Sequence, residues 1–165
     1  GLPIIGLEPS EILTLRDEYL DLCDKDQVYS VQQVAEQTYT FEEFAADLPA
    51  KNISSPEKEK VYIHGHCHAK SLIGNVAVTN ALQNLGYETE ILDTGCCGMA
   101  GSFGYESGHY EVSMEIGNQR LFPTLGNLPE DALICAPGFS CRHQIKDGTK
   151  REALHPAQLL ATSVE

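Results

Sequence analysis

The side chains of this sequence best equipped for chemistry are six cysteines: Cys23, Cys67, Cys96, Cys97, Cys135 and Cys141. Cys96 and Cys97 are adjacent, and neighbours rarely bridge each other because disulfide geometry strains the peptide between them. Six cysteines in 165 residues are too sparse for a disulfide-stapled miniature. No basic segment followed by an apolar run opens the sequence, so we expect a reducing, cytoplasmic compartment. In such a compartment, grouped thiols read as a metal or redox site. Thiolates hold iron and zinc, and an iron–sulfur cluster takes about four of them. Gly95 and Gly98 flank the adjacent pair and let the backbone turn sharply enough to present both.

The elements that position these thiols follow from the hydrophobic pattern. Short strands are expected at 4–7, 61–63, 89–92 and 132–136. Helices are expected from Pro9-Ser10 to about Leu22, near 31–36 and 41–47, over 71–85 with Gly86 ending it, over about 107–121, from Cys141 with Ser140 as N-cap, and over 155–162. Strands alternating with helices predict an α/β fold, a Rossmann-like parallel sheet with helices on both faces. Cys67, Cys96-Cys97 and Cys141 each follow a strand directly. Three βα loops therefore bring four thiols to the carboxyl edge of the sheet, where sites in such folds lie. That convergence makes Cys67, Cys96, Cys97 and Cys141 the expected metal and cofactor ligands. The glycine-rich loop 98–104 offers backbone N–H groups that can bond cluster sulfurs. Its Gly98-x-x-Gly101-x-x-Gly104 spacing is not a dinucleotide fingerprint.

Other candidates rank lower. His64, His66 and His68 alternate on an extended segment and share a face there. They can add a zinc ligand, with His66 and His68 the additional candidates, or orient the Cys67 loop. Cys135 sits inside a strand and reads first as core, second as an extra ligand. Cys23 reads as a packing residue on an amphipathic helix. No residue pattern identifies a catalytic group. Lys and Arg total 11 against 24 Asp and Glu, a formal net charge of −13. That balance argues against nucleic acid as a partner, since phosphate is held largely by basic side chains. No apolar run approaches the roughly 20 residues of a transmembrane helix.

The motifs Cys67, then Cys96-Cys97-Gly98, then Gly138-Phe139-Ser140-Cys141 resemble the cysteine-rich CCG domain family. That family is known from the catalytic subunit of heterodisulfide reductase and the iron–sulfur subunits of glycolate oxidase and anaerobic glycerol-3-phosphate dehydrogenase. Three longer segments are most similar to the C-terminal iron–sulfur region of FAD-linked 2-hydroxy-acid oxidoreductases. They are His64-Gly65-His66-Cys67-His68, the run 93–104, and Ser140-Cys141-Arg142-His143-Gln144-Ile145. The resemblance implies that 61–165 is a second CCG domain, 51–60 a linker, and 1–50 the mostly helical tail of a first copy. In this division the opening Gly1-Leu2-Pro3 is a cut inside a longer protein. Two positions depart from the family pattern. Gly138 stands where the first cysteine of a terminal Cys-x-x-Cys belongs. Glu11 stands where the first copy would carry its last cysteine.

The resemblance implies an electron-transfer domain holding an iron–sulfur cluster, of the 4Fe-4S type, through the four cysteines. It would relay electrons from a flavin domain or subunit that oxidises a glycolate- or D-lactate-like 2-hydroxy acid to a quinone or another carrier. FAD would sit outside these residues, so the fragment is not a complete enzyme. Two alternatives use the same cysteines: a zinc-binding structural or interaction domain, and a metal-free thiol–disulfide redox domain.

Overall fold

The computed structural model describes residues 1–48 and 59–162. The expected linker at 51–60 lies outside the described residues except at its end, where Lys60 already belongs to a strand. Two parallel sheets form. In the smaller, β1 (Ile4–Gly6) pairs with β2 (Thr38–Thr40). In the larger, β3 (Lys60–Ile63) lies between β4 (Glu88–Ile91) and β5 (Leu133–Cys135), in the order β4-β3-β5. The chain is thus α/β with parallel sheets flanked by helices, as the alternation of elements predicts.

In the larger sheet β3 and β5 are covered on both faces, while the edge strand β4 is largely exposed. Val61 and Ile63 of β3 point into one core with Val78, Leu82, Leu85, Tyr87, Cys135 and Leu159. Tyr62 packs on the other side, against a core containing Ile134, Leu121, Leu125 and Ile145. The first core is capped by α6 (Val76–Asn84) and α10 (Pro156–Thr162). The second is capped by α8 (Leu121–Gly126) and α9 (Phe139–Thr149), with α7 (Tyr110–Gln119) alongside. Parallel strands buried on both faces read as apolar runs rather than alternating ones. Cys135, the rival ligand, is fully buried in the first core.

Several elements differ from the sequence expectation for local reasons. The segment 71–85 is two helices, α5 (Cys67–Leu72) and α6, because Gly74 takes φ +74° between them. Gly86, at φ +91°, ends α6 as expected. The amide of Tyr87 reaches Leu82 O and that of Gly86 reaches Gln83 O, the two bonds of a Schellman motif. The segment 9–22 is broken into α1 (Pro9–Ile12), a 3₁₀ turn (Leu13–Leu15) and α2 (Glu18–Leu22). Ser140 is not an N-cap. The helix starts two residues earlier, at Phe139, and its capping position is Gly138. The amide of Phe139 is satisfied instead by Glu8 Oε2, at 2.7 Å. The strand β2 was not expected at all. Among the described residues no helix is long and apolar enough to cross a membrane.

Residues 1–48 pack against the larger sheet's layers. After α3 (Val28–Glu36) and β2 comes α4 (Phe41–Ala46), which lies on α6. Its start is fixed by a capping box, with Thr40 Oγ1 accepting from the Glu43 amide and Glu43 accepting from the Thr40 amide. Glu42 is carried inward, 4 % exposed, with Oε1 3.7 Å from His155 Nε2. That imidazole is satisfied in its neutral form: Nε2–H donates to Leu7 O at 2.9 Å and Nδ1 accepts from the Ala157 amide at 3.0 Å. Burial holds the His155 pKa below its usual value. Burial likewise raises that of Glu42 above 4.5, and nearby Glu43 and Glu8 add to the rise.

A carboxyl group whose folded pKa is raised binds its proton more tightly in the folded state. Its contribution is complete below the unfolded value and is lost as pH rises through the folded one. Glu42→Gln fixes the neutral form. The variant's melting temperature should match the native protein's below about pH 4 and exceed it increasingly as pH rises through the Glu42 titration. Thermal denaturation of both proteins across that range tests the sign.

Candidate metal centre

Three connections leaving the larger sheet build the site. Cys67 opens α5 after β3, Cys96 and Cys97 follow β4, and Cys141 lies in the first turn of α9 after β5. Cys97 and Cys141 are buried, Cys67 is half-buried and Cys96 is exposed. The Cys97 and Cys141 sulfurs are 3.4 Å apart and lie, with a His64 ring nitrogen, within 4.8 Å of one another; Cys96 and Cys67 stand beside them without joining that group. Together the thiols run from the surface into the core that holds Met99, Leu92 and Ala136.

Backbone geometry sets this arrangement. Gly95 and Gly98 take φ +65° and +95°, which turns the loop on either side of the pair. At Gly98 a side chain is also excluded by space, since a Cβ would lie 2.2 Å from Ser113 O. The Gly98 N–H donates to Cys96 Sγ at 3.3 Å, so the glycine-rich loop does supply a hydrogen bond to a site sulfur. Lys70 on α5 donates to Gly95 O at 3.1 Å and ties the Cys67 helix to the Cys96 loop.

The electrostatics shift the four thiols in two directions. Hydrogen bonds from Cys67 and then Cys97 hold the Cys96 thiol well below its usual pKa, with the Gly98 N–H helping. The hydrogen bond with Cys97 and the neighbouring His64 hold Cys141 low as well. Cys67 and Cys97, as their partners, are pushed up, and burial adds to both. Cys135 is raised by burial and sits apart in the other core.

The three histidines do not stay together. The helix that begins at Cys67 ends the extended run, so His68 turns away. Its Nε2 lies 3.7 Å from Glu18 Oε1, in a group with Asp17. His66 stays near the thiols. Its Nε2 is 3.5 Å from Glu8 Oε1, and its ring lies beside Cys141 at Gly138. His64, named in the sequence with the other two but not as one of the additional candidates, is fully buried, with a ring nitrogen within 4.8 Å of the Cys97 and Cys141 sulfurs. The one signal for it was its place at the end of a buried strand, where a histidine must face a polar partner inside the fold.

Gly138 shows why the terminal motif lacks its first cysteine. A Cβ there would stand 2.4 Å from His66 Cδ2 and 3.2 Å from Cys141 Sγ. The space a side chain would need is occupied by an imidazole. The donors gathered here suit a thiophilic metal: the Cys97 and Cys141 sulfurs with a His64 ring nitrogen, and the Cys96 and Cys67 sulfurs nearby.

No family model matches the chain. It is 31% identical over 163 residues to the D-2-hydroxyglutarate dehydrogenase of Escherichia coli (strain K12), across 97% of this chain and 15% of that protein. It is 29% identical over 168 residues to one of the subunits of the anaerobic glycerol-3-phosphate dehydrogenase of the same strain, across 99% of this chain and 41% of that protein. A D-2-hydroxyglutarate dehydrogenase of Pseudomonas putida is 29% identical over 171 residues, again across 15% of its length. The chain is therefore similar to a minor part of larger dehydrogenases.

The packing at Gly138 yields a test. Its φ of −73° suits any residue, so only space opposes a side chain. Gly138→Ala should cost about 1–3 kcal/mol by overpacking. Combining it with His66→Ala should recover most of that cost, beyond the sum of the single effects. Chemical denaturation of the four proteins in the cycle measures the coupling.

Proposed function

We propose that the chain is an electron-transfer domain that holds an iron–sulfur cluster through Cys67, Cys96, Cys97 and Cys141. The observation that supports this reading is the meeting of Cys97 and Cys141 from two βα loops, sulfurs 3.4 Å apart, with Cys96 and Cys67 beside them. In the larger protein it would relay electrons from an FAD-bearing domain or subunit that oxidises a 2-hydroxy acid or a related alcohol. The acceptor would be a quinone or another carrier. The similarity to dehydrogenases acting on D-2-hydroxyglutarate and glycerol 3-phosphate supports the substrate class. The reading implies a reducing, cytoplasmic compartment.

The bound cluster would supply a one-electron carrier. The chain's own residues set how that carrier behaves. Cys97 and Cys141, packed with Met99 and Leu92, keep water from one side. The exposed Cys96 and half-buried Cys67 mark the side open to a partner. The Gly98 N–H at Cys96 Sγ offsets negative charge on a ligand and favours the reduced state. The N-terminal turn of α9 does the same for Cys141.

Zinc is the second reading, and one distance favours it. The Cys97 and Cys141 sulfurs lie 3.4 Å apart, and two thiolates on one tetrahedral zinc are about 3.8 Å apart. With His64 they make a three-donor group on one point.

Anaerobic purification followed by iron, zinc and acid-labile sulfide assays separates the two. Iron and sulfide in near-equal amounts with broad visible absorption are expected. Zinc without iron would replace the first reading with the second. Cys97→Ala should remove most of the iron, about tenfold or more relative to the native chain. Cys23→Ala and Cys135→Ala should keep it.

A further inference from the structure

His64 carries an unanswered question of valence. Its side chain is fully buried; Nε2 makes no hydrogen bond of good geometry, and the side chain acts on the Cys141 thiol. Burying a polar nitrogen without a well-formed hydrogen bond is unfavourable, and the few native cases call for an explanation such as an ion or a catalytic role. The ring is also held firmly. Its backbone N–H donates to Cys135 O at 2.9 Å, which continues the sheet one residue past β3. Nδ1 is 2.5 Å from Thr94 Oγ1, and Thr94 is itself buried two residues before Cys96. The loop that presents the thiol pair therefore also sets the imidazole. A ring nitrogen and the sulfurs of Cys97 and Cys141 all lie within 4.8 Å of one another.

The geometry points to His64 Nε2 as a nitrogen donor to the metal centre, bound beside Cys97 and Cys141. This rests on the metal-centre reading above and adds a ligand to it. The chemistry is consistent with the ring's second partner. With Nδ1–H donating to Thr94 Oγ1, Nε2 carries the lone pair, which is the tautomer a metal-bound imidazole needs. Metal-bound histidines usually make such a second hydrogen bond, and it fixes ring orientation. The position also answers the gap at Gly138. A fifth sulfur has no room there beside His66, so His64 is the buried donor left to complete the set. Imidazole in place of thiolate carries less negative charge and raises a cluster's potential.

The test uses the native chain purified anaerobically and shown by assay to hold iron and sulfide. Pulsed electron paramagnetic resonance of the reduced centre should show a strongly coupled nitrogen of a directly bound imidazole. Labelling histidine with 15N should change that signal. It should persist in His66→Ala and vanish in His64→Ala. Thr94→Val leaves His64 in place but removes its partner, so it should weaken or broaden the coupling even if His64→Ala fails to fold. A loaded native centre with only weakly coupled nitrogen overturns the inference and leaves the four-cysteine reading standing. A strong signal that survives in His64→Ala overturns it as well. If the chain takes up zinc instead of iron, cobalt replaces the zinc as probe. A change in the cobalt visible bands in His64→Ala then supports the donor, and unchanged bands overturn it. A chain that binds neither iron nor cobalt overturns both readings.

Discussion

Everything at the thiol site depends on β3 pairing in parallel with a strand on each side. Parallel pairing points the carboxyl ends of β3, β4 and β5 the same way, so the connections that leave them emerge along one edge. The chain leaves β3 toward β4 and later returns to place β5 on the other flank of β3. Such a reversal of strand order is the usual location of sites in open α/β sheets. Four cysteines spread over 75 positions of sequence then need no long-range device to meet beyond the sheet's own register. Shifting one strand by a residue would exchange its inward and outward side chains. Both cores resist such a slip, since Val61 and Ile63 fill one and Tyr62 the other.

The larger sheet and its thiols were legible because two strong signals coincide in the sequence. Short β-rich runs end in glycine, proline or cysteine, and each cysteine group sits just after one. What escaped were features set by tertiary contact. The strand β2 has only Thr38, Tyr39 and Thr40, wedged between two helices, and exists because β1 lies beside it. Three residues carry too little period to be read alone. Ser140 has the right residue type for an N-cap, yet the carboxylate of Glu8, 131 positions away, serves the amide of Phe139 instead. The histidines show the limit most clearly. Alternation places His64, His66 and His68 on one face only while the chain stays extended, and the helix that starts at Cys67 sends them three ways.

The first 48 residues take part in the site's surroundings. Glu8 touches both His66 and the start of α9. Glu18 faces His68 at the start of α5. Asn84 on α6 donates to Ala46 O at the end of α4, and His155 donates to Leu7 O. Each tie joins this segment to an element that carries or flanks a thiol. β1 and α1 share a strand–turn–helix plan with β5 and α9, but they bring a carboxylate to the site where β5 and α9 bring a sulfur. Glu8 does this rather than Glu11, which is exposed.

The electrostatic setting limits which further donors the site can take. The chain carries a formal charge of −13, and thiolates add to it. Gathering anionic sulfurs in a partly buried site is unfavourable unless positive partial charge is aimed at them. Here the compensation comes from the Gly98 amide at Cys96, the first turn of α9 at Cys141, and the His64 and His66 rings near Cys141. Lys70 is the basic side chain that acts on Cys67, and its ammonium is already bonded to Gly95 O. Arg142 spends its guanidinium on Ala136 O and Pro137 O. A site balanced in this way tolerates little additional negative charge. A neutral nitrogen at its buried end therefore completes a donor set more readily than a fifth thiolate, and the imidazole ring of His66 beside Gly138 keeps that thiolate out.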